Sequence, residues 1–275
     1  MAATSIAEIL KTARIDPLDA RVLLQSVLGV THAFLATHPG HAVAGDQLDR
    51  YLALVAHRAA GEPVAYLTGG REFFSLDFKV TPAVLIPRPE TELLIELALE
   101  RIPQQAPCRV LDLGTGSGCV AISIARHRPR ARVMATDSSP DALEIAAENA
   151  RALGVPNIEF RFGDWFGAVG GERFDVIVSN PPYVAKDDPH LHQGDLLYEP
   201  RQALAAGADG LDCIRKIVHD AGTHLFAGGW LVFEHGYDQA ERCRALLSAA
   251  GLGAVFSRRD LAGIERVSGG CVTKA

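Results

Sequence analysis

The chain has 275 residues, a net charge of −6, 48% apolar residues and 22% charged ones. That is the make-up of a globular protein too long for one small core, so two domains are expected. The acidic balance argues against broad nucleic-acid binding through phosphates, and no apolar run approaches the length of a membrane span.

Residues 1–70 read as helices joined by short turns. Ser5-Ile6-Ala7-Glu8 fits a capping box. Asp16-Pro17 supplies an N-cap and an N1 proline for a second helix carrying Leu18, Val22, Leu23 and Val27, which Gly29 ends. Asp46 is placed to cap a third, with Leu48, Leu52 and Val55 on one face. These stripes build a core and carry no catalytic constellation. His32, His38, His41 and His57 share no metal-ligand spacing. This domain is assigned to recognition of a partner protein by elimination.

Residues 71–89 change character. Glu72 to Val80 alternates like a hairpin turning near Ser75 to Asp77. Ile86-Pro87-Arg88-Pro89-Glu90-Thr91-Glu92 is a stiff link into the helix of Leu93, Leu94, Leu97 and Leu99. Arg88 reads as paired within its own domain, and Glu92 and Glu199 as braces for loops.

Residues 90–275 form the second large domain. Strands are expected at about 109–113, 131–136, 157–161, 174–179, 229–234, 254–258 and 265–272, with helices near 118–127, 140–153, 210–226 and 238–250. Alternation of this kind means a parallel sheet with helices on both faces. The last two strands lack a helix between them and predict an antiparallel edge. The five cysteines show no C-x-x-C spacing, and the N-terminus lacks a basic stretch leading into an apolar one. Reduced thiols, no zinc site and a cytoplasmic location are therefore expected.

The first of these strands runs into Asp112-Leu113-Gly114-Thr115-Gly116-Ser117-Gly118 and then a helix. Glycines let the backbone approach a ligand, and the helix N-terminus behind them is mildly positive. Asp137 closes the next strand 23 residues after Gly114, a place suited to accepting hydrogen bonds from ribose hydroxyls. The spacing is G-x-G-x-G, not the dinucleotide G-x-G-x-x-G, whose third glycine is here replaced by Cys119. Asp112 repels a pyrophosphate but accepts from an ammonium. Both features favour S-adenosylmethionine over NAD. After the third strand, Asp164 is placed to accept from an adenine amino group and Trp165 to pack on its ring. A plain core aromatic is the competing reading for Trp165.

The run Phe174 to Ser179 is a buried strand, and Asn180-Pro181-Pro182-Tyr183 lies at its carboxyl end. Prolines fix their own φ and hold the residue before them extended. The stiff loop presents two acceptors, the Asn180 side-chain oxygen and the Pro181 carbonyl, beside the flat ring of Tyr183. Together they suit a planar –NH2 group.

These segments resemble the HemK/PrmC protein-(glutamine-N5) methyltransferases. The resemblance takes in Asp112 to Gly118, Asp137, Gly163-Asp164-Trp165 and Asn180 to Tyr183. It extends to Arg71-Glu72-Phe73, Ile86 to Glu92, Asp188 to Leu191, Gly194-Asp195, Tyr198-Glu199-Pro200, Glu234-His235-Gly236 and Glu265-Arg266-Val267. It implies a helical N-terminal domain, a β-hairpin linker and a class I S-adenosylmethionine-dependent methyltransferase domain with a Rossmann-like seven-stranded sheet. It also implies a substrate, the glutamine of a Gly-Gly-Gln tripeptide in class I peptide chain release factors. Carried over residue by residue, Asn180, Pro181 and Tyr183 are catalytic, and Pro182 joins them in binding the substrate. Asp112, Gly114, Thr115, Gly116, Gly118, Asp137, Asp164 and Trp165 bind the cofactor, with Asn180 at the junction of both sets. A monomer without direct nucleic-acid contacts is expected. The alternative is a nucleic-acid adenine N6-methyltransferase, since the same tetrapeptide suits an extruded adenine. Glu234-His235-Gly236 has no assigned chemical role.

Overall fold

The computed structural model describes residues 4–273. The chain divides into two compact units. One comprises the residues up to Gly70 together with Gln193–Tyr198; the other comprises Arg71–His192 and the residues from Glu199 onward.

The first unit contains β1 (Thr4–Ser5), α1 (Ile6–Thr12), α2 (Pro17–Leu28), α3 (His32–Thr37), β2 (Ala42–Val43), α4 (Gly45–Ala59) and α5 (Val64–Thr68). Strands β1 and β2 pair antiparallel. Ser5 caps α1 through a full capping box with Glu8, and Asp16 caps α2 by accepting from the backbone of Leu18 and Asp19. Gly29 ends α2 in the left-handed conformation. Ile6, Ile9, Leu23, Leu24, Val27, Leu35, Val43 and Tyr51 form its core. Two expectations need correction. Helix α4 starts on Ala44 as N-cap, with Asp46 inside the first turn. Leu18 and Leu52 point outward. Tyr51 takes the inward place on α4 instead of Leu52, between Leu48 and Val55, which pack on the core as expected. Within the same unit Arg58 pairs with Asp19 at 2.7 Å and Asp195 at 3.1 Å, and the Tyr198 hydroxyl donates to Ala60 O.

The second unit opens with a hairpin of β3 (Gly70–Phe73) and β4 (Leu76–Lys79). Its turn is Phe74-Ser75, both at positive φ, one step earlier than the sequence pattern placed it. Two carboxylates make this possible. Glu92 accepts from Phe74 N and Glu72 from Ser75 N, so the turn's amides are satisfied without an asparagine or glycine.

Next come α6 (Glu92–Arg101), β5 (Cys108–Leu113), α7 (Cys119–His127), β6 (Ala131–Asp137), α8 (Pro140–Ala152), β7 (Ile158–Phe162) and β8 (Phe174–Ser179). They are followed by α9 (Asp212–His224), β9 (Leu225–Glu234), α10 (Ala240–Ala249), β10 (Gly253–Arg259) and β11 (Glu265–Cys271). The strands form one seven-stranded sheet in the order β10-β11-β9-β8-β5-β6-β7. Strands β7, β6, β5, β8 and β9 are parallel; β11 and β10 complete the sheet antiparallel. Apolar clusters cover both faces. One holds Leu94, Ile95, Val110, Ile122 and Val178; the other holds Leu111, Ile177, Ile217, Leu231 and Leu247.

The sheet reverses its winding at β5, which has β6 on one side and β8 on the other. Open parallel sheets bind ligands beyond the strand carboxyl ends at such a point. Leu113 pairs with Ser179 and Ser179 with Phe233. The next residues on these three strands, Gly114, Asn180 and Glu234, therefore stand in one row along the top of the sheet.

Candidate active site

A cleft opens above that row. Its wall includes Thr91, Asp112, Gly114, Thr115, Gly116, Asp137, Asp164, Trp165, Asn180 and Pro182. At one end the backbone after β5 folds tightly. Gly114, Gly116 and Gly118 all have positive φ. The Gly114 and Thr115 amides both donate to Thr136 O, and the Gly118 amide donates to Thr115 O. A Cβ on Gly118 would lie 2.7 Å from Ile122 Cδ1 and 3.1 Å from Ala146 Cβ, so position 118 has no room for a side chain. Asn149, buried on α8, anchors the turn from below. It donates to Ser117 O and Lys79 O and accepts from Lys79 N.

Three carboxylates border this loop. Asp112 is buried and accepts from the Thr115 hydroxyl at 2.7 Å. Burial pushes its pKa up to about 7, the Thr115 hydrogen bond opposing. Asp137 accepts from Gly116 N at 2.8 Å and Ser139 N at 2.9 Å. Burial raises its pKa too, against the pull of those amides. Asp164 is exposed. Trp165 has φ 46°, a conformation that costs a bulky residue free energy. Its ring edge lies 3.4 Å from where a Cβ on Gly114 would sit. The left-handed backbone thus swings the indole over the glycine turn. The ring lines the cleft and at the same time packs against the second apolar cluster.

The other end is built differently. Asn180 is half-buried, and its Nδ2 donates to the Thr91 hydroxyl at 3.1 Å. Thr91 is itself buried. Pro181 is buried, while Pro182 faces the cleft. Tyr183 is not among the lining residues. Its hydroxyl donates to Glu234 Oε1 at 2.9 Å and its carbonyl accepts from Gln239 Nε2. Burial, then the Glu234 charge, holds that hydroxyl's pKa well above its usual value, so it remains a donor. The expected ring beside a substrate plane is therefore, in this structure, a ring tied back to a buried carboxyl.

Glu234 is almost wholly buried, and burial pushes its pKa up to about 7, while the Tyr183 hydroxyl donated to Oε1 pulls the other way; Oε2 has no hydrogen-bond partner among the described residues. Below it, Ser179 donates to Leu113 O. Arg88 pairs with the fully buried Glu199 carboxylate at 2.5 Å, and Glu199 also accepts from Ile86 N. These are the bracing roles the sequence led one to expect. His235 is buried, bonded to Ser268 and to Gly236 O, and its pKa is lowered by burial. It supports the β9–β11 edge and faces no cleft.

Thr91, Asn149, Gln239 and the role of Glu234 are what sequence reasoning missed. Glu234 carried one signal: a carboxylate ending an otherwise apolar strand. The partner of the Thr91 hydroxyl, Asn180, is 89 residues away in sequence, so no local pattern shows it.

A turn of three glycines at positive φ with an aromatic laid over it, carboxylates in place of cations, and an Asn-Pro-Pro-Tyr loop at the switch point of a seven-stranded sheet define a class I S-adenosylmethionine-dependent methyltransferase. The hMettl16 catalytic domain solved with a MAT2A 3′UTR hairpin shares that fold, with a TM-score of 0.61 at 15% identity, covering 94% of each chain. Family models narrow the class: the PrmC N-terminal domain matches residues 2–69 and the methyltransferase small domain residues 91–209. The release factor glutamine methyltransferase of Burkholderia pseudomallei is 54% identical over 96% of this chain and 95% of its own length. That of Escherichia coli is 44% identical over 91% of this chain and 90% of its own. The chain belongs to the release factor glutamine methyltransferase family.

Proposed function

We propose that this protein methylates the side-chain amide nitrogen of the glutamine in the Gly-Gly-Gln motif of class I peptide chain release factors. Family membership supports the substrate class, and one observation carries the chemistry. The Asn180 amide turns its nitrogen to Thr91, which leaves its oxygen as an acceptor at the cleft.

The cleft fits S-adenosylmethionine. Asp112 accepts from the ammonium, Asp137 from the ribose hydroxyls and Asp164 from the adenine amino group, while Trp165 covers the adenine and Gly114, Thr115, Gly116 and Gly118 give the backbone its close approach. Anionic side chains suit a cationic ligand and exclude a pyrophosphate. When bound, the cofactor supplies a sulfonium methyl, and its sulfur keeps the bonding electron pair as that bond breaks. An amide nitrogen is a poor nucleophile, so the protein must orient it. The Asn180 oxygen and the Pro181 carbonyl accept its two N–H bonds, aim it, and stabilise the positive charge that grows on it. Such positioning accounts for on the order of 7–11 kcal/mol in favourable cases. Pro182 closes the wall. The proton lost from nitrogen leaves to water once the new C–N bond has made it acidic, so no strong base is required. The first compact unit is assigned to partner recognition, and the protein acts as a cytoplasmic monomer without direct nucleic-acid contacts.

The test is transfer of labelled methyl from S-adenosylmethionine to a purified release factor, intact and with the tripeptide glutamine replaced. Label on the intact factor alone is expected. Label on both, or on neither while the cofactor still binds, would contradict the reading, and a nucleic-acid adenine would be the next acceptor to try.

A further inference from the structure

Gln239 is buried in the turn between β9 and α10, and its side chain reaches the loop that follows β8. We propose that Gln239 is a positioning residue: its side-chain amide pins the outgoing end of Asn180-Pro181-Pro182-Tyr183 and so aims the Pro181 carbonyl at the substrate. This inference rests on the reading of Asn180 and Pro181 as the acceptors of the substrate N–H bonds.

A proline fixes φ but leaves ψ free, and it has no N–H with which to tie a loop down. The ψ angles of Pro181 and Pro182 therefore decide where the Pro181 carbonyl points, and they depend on how the two ends of the loop are held. The incoming end is fixed by the pairing of Ser179 with Leu113 and Phe233. The outgoing end is the peptide unit between Tyr183 and Val184, and it is gripped from both sides. The Tyr183 carbonyl accepts from Gln239 Nε2 at 2.9 Å, and the Val184 amide donates to Leu204 O at 2.9 Å. The bond from the Tyr183 hydroxyl to Glu234 holds the ring and not the plane of that peptide. Without Gln239, the carbonyl side of the unit is loose while the incoming end is untouched.

The sense of the Gln239 amide is set by backbone groups, which cannot exchange donor for acceptor. Oε1 accepts from Gly236 N at 2.8 Å, and Nε2 donates to Tyr183 O and, at 3.4 Å, to Asp209 O. A flipped amide would set N–H against N–H and oxygen against two carbonyls, so one orientation alone bonds. The side chain also leaves from a firm base: Gln239 N donates to Gly236 O, and Gln239 O accepts from Cys243 N. The segment before α9 closes on the bond itself, since a Cβ on Gly210 would lie 2.2 Å from Tyr183 O and 2.7 Å from Gln239 Nε2. The charged groups nearby are engaged or turned to solvent. Arg215 and Arg242 hold the Asp209 carboxylate, Arg215 foremost in lowering its pKa to about 2. Glu234 accepts from Tyr183, and His235 bonds Ser268 and Gly236 O. Asp238 and Glu241 are exposed.

The test uses the full chain, S-adenosylmethionine and an intact release factor, comparing wild type with Gln239→Met and Gln239→Glu. The single-turnover rate at saturation and the cofactor affinity are read on the same preparations. Gln239→Met removes the bond at similar length and should lose about tenfold or more in rate, a small misplacement being enough for that, with cofactor affinity within a few-fold of wild type. Gln239→Glu is nearly isosteric. Protonated, it still donates to the Tyr183 carbonyl; ionised, it sets an oxygen against two carbonyls. Burial raises a carboxyl pKa to as much as about 8–9, so the variant passes from donor to acceptor between about pH 6 and 9. Its rate relative to wild type at the same pH should start near unity and fall about tenfold. The ratio cancels the titrations both proteins share, that of Glu234 included. A residue that only fastened α10 to β9 would lower the melting temperature without making the bound-state rate follow pH. A flat ratio, or a loss of cofactor affinity that matches the loss of rate, overturns this inference alone. No wild-type transfer to the glutamine overturns it together with the proposed function.

Discussion

The two ends of the cleft solve different problems with different materials. The cofactor end is mostly backbone: three glycines at positive φ, amides folded onto Thr136 O, and short carboxylates that each hold a neighbouring donor. The acceptor end is built from side-chain pairs: Asn180 donates to the buried Thr91 hydroxyl, and the Tyr183 hydroxyl donates to the buried Glu234. A backbone cradle gives shape and depends on residues close in sequence. Side-chain pairs give direction, through which member donates and which accepts. Binding should therefore fail at the first end and turnover at the second.

The largest effect tests whether the acceptor end depends on its walls. Arg88→Met removes the guanidinium partner of the fully buried Glu199 carboxylate. Leaving a buried charge uncompensated typically costs 3–5 kcal/mol, and Arg88 is partly exposed, so a loss of about 3 kcal/mol is expected. Denaturant unfolding at pH 7 measures it. A loss below about 0.5 kcal/mol would mean the pair behaves as a surface one.

At the cofactor end, Trp165→Ala should weaken S-adenosylmethionine by about 1–3 kcal/mol, the range for a base stacked on an aromatic ring. Calorimetric titration reads this directly. The maximal turnover at saturating cofactor should change far less than the affinity does. A collapse of turnover with unchanged affinity would mean that the indole serves the acceptor.

The smallest effect sharpens the comparison through pH. Asp112 has its pKa in the folded protein raised by burial to about 7, against an ordinary value of 3.8. A carboxyl raised in this way favours the folded state below the unfolded value, and that contribution is lost as pH rises through the folded one. At pH 8 the buried charge is a liability. Asp112→Asn should therefore raise the melting temperature at pH 8, with the gain shrinking as pH falls towards 5, while weakening the cofactor. A lower melting temperature at pH 8 would show that the Thr115 hydrogen bond outweighs the burial.

The same contrast governs what could be read from the letters. The sheet, its antiparallel edge and every strand of it were legible, because apolar runs and glycine or proline punctuation are local signals. Strand β9 begins at Leu225, earlier than the apolar run at 229–234 indicates, since Gly228-Gly229 interrupt it without ending the pairing with β8. The glycine turn, Asp137 and Asn180 were legible for the same local reason. The Asn180–Thr91 and Tyr183–Glu234 contacts were not, because they join distant segments, and Glu234 stands beside Asn180 only once β8 and β9 align Ser179 with Phe233. Tyr183 shows the limit within a motif: its position was clear, but the partner of its hydroxyl lies 51 residues away. The positive φ of Trp165 was equally hidden, since no residue preference forecasts a strained tryptophan.

The division of labour between the two ends is tested most directly on Asn180→Ala, by measuring cofactor affinity and single-turnover methyl transfer to a release factor on the same preparation. Removing one oriented acceptor should cost about 10²–10³ in rate, as losing one oxyanion-hole donor does, with cofactor affinity within a few-fold of wild type. A parallel fall in both, or an affinity loss with the bound-state rate intact, would place Asn180 in the cofactor cradle and contradict the account.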